Sequence, residues 1–265
     1  MNKVACALFV FDRPGYLSQV LASLEAQTFK DVDWFVFVDG NYVGDKVIGD
    51  IHGRLKCIQQ LFTSKINFKG SFVFEDNRGM GKQKLASHQL YKDYDTVLFF
   101  EDDMVLSKHY IEVLLQMKKE YPEYAFISAC DRPMLTEEKL KDQPLTKVIG
   151  GEVGNLCHFW GYYLSKEAVE MLQVPLEEYC TMVGENYRER PELKIKEAYG
   201  VKQTSHDGIL NLFLDKSNFK RISLKIPRGR YIGELGMHCT PQIFAQYHKK
   251  QYEFEEEPFR YDPNN

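Results

Sequence analysis

The sequence predicts an α/β fold, a mostly parallel central sheet with helices on both faces. Short runs of β-branched and aromatic residues recur through the first half of the chain, and amphipathic stretches at helical spacing separate them. That is the pattern of strands joined by helical crossovers. Acidic residues stand directly after two of the apolar runs, at the carboxyl ends of strands, where open α/β sheets place their ligand crevices.

Taken in order, residues 4–11 read as a buried strand, and Arg13-Pro14-Gly15 turns into a helix marked by Tyr16, Leu17, Val20, Leu21 and Leu24. Residues 34–38 form a second strand ended by Asp39-Gly40-Asn41, 44–62 a helix, 71–74 a third strand and 80–94 another helix. The run 96–100 is the fourth strand. Beyond it the pattern gives a helix over 110–119, a strand over 124–130, a surface connection over 131–143, an aromatic strand over 157–164 and a helix from 166 to 172. The charged stretch 185–196 reads as a long loop, and His206-Asp207-Gly208 precedes an apolar helix over 209–214. Residues 1–105 thus have a Rossmann-like nucleotide-binding layout, 106–252 complete the same domain, and the acidic, proline-containing stretch 253–265 is a peripheral tail.

The most informative feature is Glu101-Asp102-Asp103, directly after the apolar run Thr96-Val97-Leu98-Phe99-Phe100. Three crowded carboxylates repel one another unless something positive sits between them. A divalent cation bound with a phosphorylated substrate meets that need, because hard oxygen ligands suit Mg²⁺ or Mn²⁺ and phosphate oxygens complete the shell. An isolated acidic triplet would otherwise be a solvated turn.

Bulk properties narrow the field. With 265 residues, 44% hydrophobic and 27% charged, the chain has the composition of an ordinary globular domain. Its net charge of -4 gives no global footprint for nucleic acid. The opening Met1-Asn2-Lys3 and the short apolar stretch after it have neither the length of a membrane span nor a signal-peptide cleavage pattern, so a cytoplasmic or membrane-peripheral protein without a transmembrane segment, or a chain trimmed of its targeting segment, is expected. The six cysteines form no CxxC pair and no close Cys/His spacing, so free thiols are expected and a zinc site is not.

The order of a strand ending in Asp39, a strand ending in Glu101-Asp102-Asp103, an aromatic strand at Trp160-Gly161, His-Asp-Gly opening a helix, and a late His238 resembles the inverting nucleotide-sugar glycosyltransferases of the GT-A fold. N-acetylglucosaminyltransferase I, with its Glu-Asp-Asp-hydrophobic motif, and the family 2-like enzymes are the nearest in pattern. The resemblance spans 4–244 in motif order, is most specific over 97–105, and is weak over 131–204. It implies a GT-A fold, a UDP-sugar or similar nucleoside-diphosphate sugar donor, a carbohydrate or glycoconjugate acceptor, and Mn²⁺ or Mg²⁺ as cofactor.

Residue by residue, the resemblance implies that Asp103 binds the metal, that Glu101 and Asp102 hold sugar and ribose hydroxyls or orient the metal's waters, and that Asp39 recognises the base or ribose. Asp39 is also an ordinary Asp-Gly turn residue. Arg13 would meet the nucleotide with its planar fork, and Lys82 the donor from a helix start that suits an anion; both are equally plain surface cations. Asp207 would be the catalytic base, or simply an N-cap. His238 would approach the metal or diphosphate, and Gly229, Gly233 and Gly236 would let its segment fold over the donor as a lid. Trp160 and Tyr162, which strand alternation sends to one face, would form an aromatic acceptor platform or else belong to the core. Two other functions fit the pattern less well. A nucleotidyltransferase would carry a glycine-rich basic loop after the first strand, where Asp12-Arg13-Pro14-Gly15 is short and poor in glycine; a non-catalytic binding module would not require both Asp103 and Asp207.

Overall fold

A computed structural model describes residues 3–129, 148–150, 158–183, 198–200, 205–224, 227–236 and 239–247. The strands are β1 (Val4–Val10), β2 (Asp33–Val38), β3 (Tyr42–Val43), β4 (Lys46–Val47), β5 (Phe68–Val73), β6 (Thr96–Glu101), β7 (Met104–Leu106), β8 (Phe126–Ser128), β9 (Val148–Gly150), β10 (Gly161–Leu164), β11 (Arg221–Leu224) and β12 (Gly229–Tyr231). The helices are α1 (Pro14–Glu25), α2 (Ile51–Thr63), α3 (Gly79–His88), α4 (Tyr110–Glu120), α5 (Lys166–Val183), α6 (His206–Lys216) and α7 (Pro241–Tyr247).

Eight strands form the central sheet in the order β5-β2-β1-β6-β10-β8-β11-β9. β1 pairs in parallel with both β2 and β6, in a register that sets Val10 against Val38 and Phe9 against Glu101. The carboxyl ends of these strands therefore share one edge, and that edge receives Arg13, Asp39 and the acidic triplet. β10 runs antiparallel to β6.

Both faces of the sheet are covered, which is why its central strands read as continuous apolar runs rather than as alternating ones. Cys6, Leu8 and Val10 of β1 point to a core with Leu17, Val20 and Leu21 of α1, Cys57 and Leu61 of α2 and Tyr110, Val113 and Met117 of α4. Ala5, Ala7 and Phe9 point to the other, with Phe99 and Tyr162 of the sheet and side chains of α5 and α6. Each fully buried large apolar side chain here contributes about 1.5–3 kcal/mol relative to exposure.

Several boundaries differ from the sequence reading. Residues 42–47 form the hairpin β3–β4 rather than the start of a helix, because Gly44 takes a positive φ of 55° in the turn, and α2 begins only after the Asp50 side chain caps His52 N at 2.9 Å. Residues 80–94 end α3 at His88 and continue as the 3-10 turn Gln89–Lys92. α5 runs past Leu172 to Val183 with Pro175 inside it. The proposed connection 131–143, loop 185–196 and tail 253–265 lie outside the described residues. No helix among the described residues is long and apolar enough to cross a membrane. Cys6, Cys57, Cys180 and Cys239 are free buried thiols.

Candidate active site

Pro14 fixes the first turn of α1 and leaves Arg13 at its N-cap position with no capping bond of its own. The guanidinium instead turns to the acidic triplet. Nη1 donates to Asp103 Oδ2 at 2.7 Å, and Nη2 donates to Asp102 Oδ1. Asp102 Oδ2 also accepts Phe11 N at 3.1 Å. Three of the four oxygens of this buried pair are thus engaged, while Asp103 Oδ1 is buried with no hydrogen-bond partner. Burial raises the Asp103 pKa, opposed by Arg13 and aided by the neighbouring charge of Asp102.

The two-stranded ribbon β7–β12 brings the late segment of the chain to the same place. Tyr231 pairs with Met104, and Ile232 N then donates to the Asp103 carbonyl at 2.8 Å. Gly233 packs so closely that a Cβ there would meet Tyr231 Oη at 2.4 Å and Asp103 Oδ2 at 2.6 Å. The segment expected to form a glycine-rich lid therefore begins as a paired strand against the triplet. His238 lies outside the described residues.

Glu101, the last residue of β6, meets Lys84 of α3. Lys84, wholly buried, places Nζ 2.9 Å from His206 Nε2, 3.4 Å from Asp207 Oδ1 and 3.5 Å from Glu101 Oε1. His206 Nε2 lies 2.7 Å from the same Asp207 oxygen, so lysine, imidazole and carboxylate close a triangle whose donors are set by the imidazole tautomer. Ser205, not Asp207, caps α6 by accepting Gly208 N at 3.2 Å. The Asp207 carboxylate is thus released from capping and is 28% exposed.

The two acids around Lys84 are driven in opposite directions. Burial raises the Glu101 pKa, with Lys84 opposing and Asp207 and Asp103 adding repulsion. Burial also acts to raise Asp207, but His206 and Lys84 outweigh it and hold this carboxyl below the usual range. Burial lowers the His206 pKa against the pull of Asp207. A carboxyl group biased to the acid form beside one biased to the base form is the arrangement that separates acid from base roles at one pH.

The remaining candidates are distributed unevenly. Asp39 is buried beneath the edge, its Oδ1 accepting Gly40 N and Arg78 N at 3.0 and 2.7 Å and its Oδ2 accepting Gly79 N at 2.9 Å. It ties β2 to the start of α3, and burial lifts its pKa to about 6 against those three bonds. Lys82 lies near Cys180 of α5, where it opposes the burial that raises that thiol, and is not brought to the acids; Lys84, one half-turn on, is. Tyr162 is 1% exposed, stacked between Phe99 and Phe126 at 5.0 and 5.4 Å, so it belongs to the core rather than to an open acceptor wall. Trp160 precedes β10 and packs with the opposite core, which corrects the expectation that alternation puts both on one face. His158 and Tyr231 stack on it at 4.3 and 4.5 Å with near-parallel planes. Trp160 itself is half-buried.

Lys84 and Tyr231 were not singled out from the sequence, His206 stood there only as part of the His-Asp-Gly motif, and Gly233 only as a lid glycine. A signal for the first existed in α3, whose buried positions Lys84, Ser87 and His88 fall at helical spacing, a polar stripe turned inward.

No family model and no curated protein matches the sequence. Among solved structures the chain is similar to S. aureus TarS 1–349, at 14% identity and a TM-score of 0.50, covering 88% of this chain and 61% of that one. The same protein in complex with UDP-GlcNAc matches at 16% identity and a TM-score of 0.44, covering 63% and 46%; in complex with UDP the values are 16%, 0.45, 68% and 54%. The fold is GT-A. The chain spans less than two thirds of the length of each of these structures, and identity this low carries the GT-A architecture alone, without extending to the specific likeness with N-acetylglucosaminyltransferase I. In this GT-A sheet the acidic triplet ends β6, at the crevice edge, with Asp207 reaching it from α6.

Proposed function

We propose that the protein is a nucleotide-sugar glycosyltransferase that moves a sugar from a nucleoside-diphosphate sugar to a hydroxyl of a carbohydrate or glycoconjugate acceptor, with inversion. The observation that carries this reading is the pair Glu101 and Asp207 across Lys84: one carboxyl biased to protonation, the other ionised and partly open, beside a guanidinium-bound Asp102-Asp103 turn.

In this reading the Asp207 carboxylate takes the proton of the acceptor hydroxyl as that oxygen bonds to the anomeric carbon. The bond from the anomeric carbon to the diphosphate oxygen breaks, and its electron pair leaves with the nucleoside diphosphate. Attack from the face opposite the leaving group inverts the anomeric centre. Glu101, in its acid form, donates to a sugar hydroxyl and holds the donor in line. Arg13 fixes the Asp102-Asp103 turn and presents the nearest positive charge to the diphosphate.

The resemblance implies Mn²⁺ or Mg²⁺, and the buried, unpartnered Asp103 Oδ1 fits a cation. Asp103 would hold it, with His238 the residue the sequence offers as a second ligand; among the described residues no group of three or more His, Cys, Asp or Glu surrounds it. Donor phosphates and water would supply the other positions, and the ion would neutralise charge on the departing diphosphate.

The test is release of nucleoside diphosphate from a panel of nucleotide sugars, UDP-sugars first, with simple glycoside acceptors and Mn²⁺, with the product anomer read by proton NMR. Transfer with inversion is expected. A product that keeps the donor's configuration would remove the single-displacement mechanism, and donor binding without turnover across the panel would favour a binding module.

A further inference from the structure

We propose that Lys84 is a positioning residue for Asp207: a buried lysine that holds this carboxylate from behind and ties α6 to β6 through Glu101, an inference that rests on the transferase reading above. Lys84 has no exposed surface, so it cannot touch a substrate and must act through its neighbours. Its Nζ faces His206, Asp207 and Glu101 within 3.5 Å, while the rings of Phe159 and Tyr162 close the remaining sides at 5.0 and 5.4 Å. Ammonium over aromatic faces is favourable and leaves the side chain little freedom.

The acids it grips are not buried to the same degree. The Asp207 side chain is 28% exposed and that of Glu101 13%, and each meets Lys84 through a single oxygen, that of Glu101 being buried, so Lys84 lies on the inner side of both. The groups that face Asp207 are Lys84 from α3, His206 beside it on α6, His158 ahead of β10 and Glu101 from β6. Of these, Lys84 is the one lysine. Without it, Asp207 would keep only its 2.7 Å contact with His206, and Glu101 and Asp207 would face each other with no lysine between them.

A lysine that served stability alone would be a poor choice, since replacing a buried ion pair with apolar packing is often neutral or stabilising. Methionine has nearly the same reach and fits the two rings. The position therefore separates a structural role from an electrostatic one.

The experiment compares wild type, Lys84→Met, Lys84→Arg, Asp207→Asn and the double variant Lys84→Met/Asp207→Asn in steady-state transfer across pH. Lys84→Met is expected to lower kcat by about tenfold to a hundredfold with donor KM nearly unchanged, and to move the acid limb of the kcat profile to higher pH. Lys84→Arg should recover part of kcat. In the Asp207→Asn background the methionine substitution should cost nothing further, because the group through which Lys84 acts is gone. Wild-type kcat and profile in Lys84→Met, or an equal loss in both backgrounds, would overturn the proposal. A wild type that transfers nothing from any donor would count against the transferase reading instead. Lys84 is then judged by carbon NMR of labelled aspartate, where the Asp207 carboxyl should titrate higher in Lys84→Met and an unmoved midpoint overturns the role. If Lys84→Met does not fold, nitrogen NMR of labelled lysine decides on wild type and Asp207→Asn: an exchange-protected ammonium that shifts when Asp207 is replaced is expected, and no shift refutes it.

Discussion

Arg13 donates to Asp103 at 2.7 Å across 90 residues of sequence, joining the turn after β1 to the turn after β6. With its second bond to Asp102, one side chain binds the two innermost acids of the triplet. Their side chains are 3% and 5% exposed against 26% for Arg13. Removing the arginine leaves two buried, adjacent carboxylates with no cation, and breaking a buried pair this way costs about 3–5 kcal/mol. Arg13→Ala should therefore lower the urea midpoint strongly at pH 7 and less at pH 4, because burial raises the Asp103 pKa and its protonation removes a charge that Arg13 pairs with. An equal loss at both pH values would show that Arg13 contributes by packing alone.

Asp103 keeps one buried oxygen unpartnered, and that atom is the place for the proposed cation. Asp103→Asn preserves an acceptor for Arg13 but presents an N–H or a weaker oxygen at the open position. Donor affinity should then lose its dependence on Mn²⁺, while the fold survives with a cost of about 1–3 kcal/mol for a buried amide left unsatisfied. Calorimetry of UDP binding with and without Mn²⁺ decides this; an undiminished metal effect in the variant places the ion elsewhere.

At Gly233 a methyl group would land 2.4 Å from Tyr231 Oη and 2.6 Å from both Tyr231 Cζ and Asp103 Oδ2. The tyrosine ring cannot yield easily, because it stacks on Trp160. Gly233→Ala should push the segment after β12 off the triplet, destabilise by about 1–3 kcal/mol as overpacking does, and weaken donor binding. Gly236→Ala serves as the control, since its Cβ would meet only Arg13 Nη1 at an ordinary 3.6 Å. Matching behaviour of the two variants would remove the argument from close packing.

The parts of this molecule that were legible in the sequence are those fixed by local chemistry. β1, β2 and β6 are buried on both faces, so their apolar runs announce them, and the acids that follow announce the crevice edge. The β3–β4 hairpin was missed because its strands are two residues each and only the Gly44-Asp45 turn marks it. α5 was cut short because Pro175 signals a helix end. Lys82 was chosen over Lys84 because a lysine near a helix start suggests an anion site, whereas a buried lysine becomes evident only when acids from β6 and α6 converge on it. The same holds for Trp160: its stacking partners stand 2 and 71 positions away in the chain, and no local pattern shows the contact with Tyr231.

Asp207→Asn tests the proposed chemistry most directly. Ser205 caps α6, so the substitution removes no cap, and asparagine keeps the size and an oxygen for Lys84. What it loses is the ability to take a proton. Transfer should fall by roughly a hundredfold to ten-thousandfold with donor affinity nearly intact. Stability adds a second readout with a definite sign. Although burial works against ionisation here, His206 and Lys84 hold the folded-state pKa of Asp207 below its ordinary value. A group so depressed stabilises the native state above the unfolded pKa and loses that contribution as pH falls through the folded one. The urea-midpoint gap between wild type and Asp207→Asn should therefore be full at pH 7, hold to about pH 4, and narrow only below it, where the unfolded carboxyl of pKa near 3.9 begins to protonate. A gap that closes between pH 7 and pH 5 would mean that Asp207 is protonated near neutrality, and a carboxyl in that state could not serve as the base.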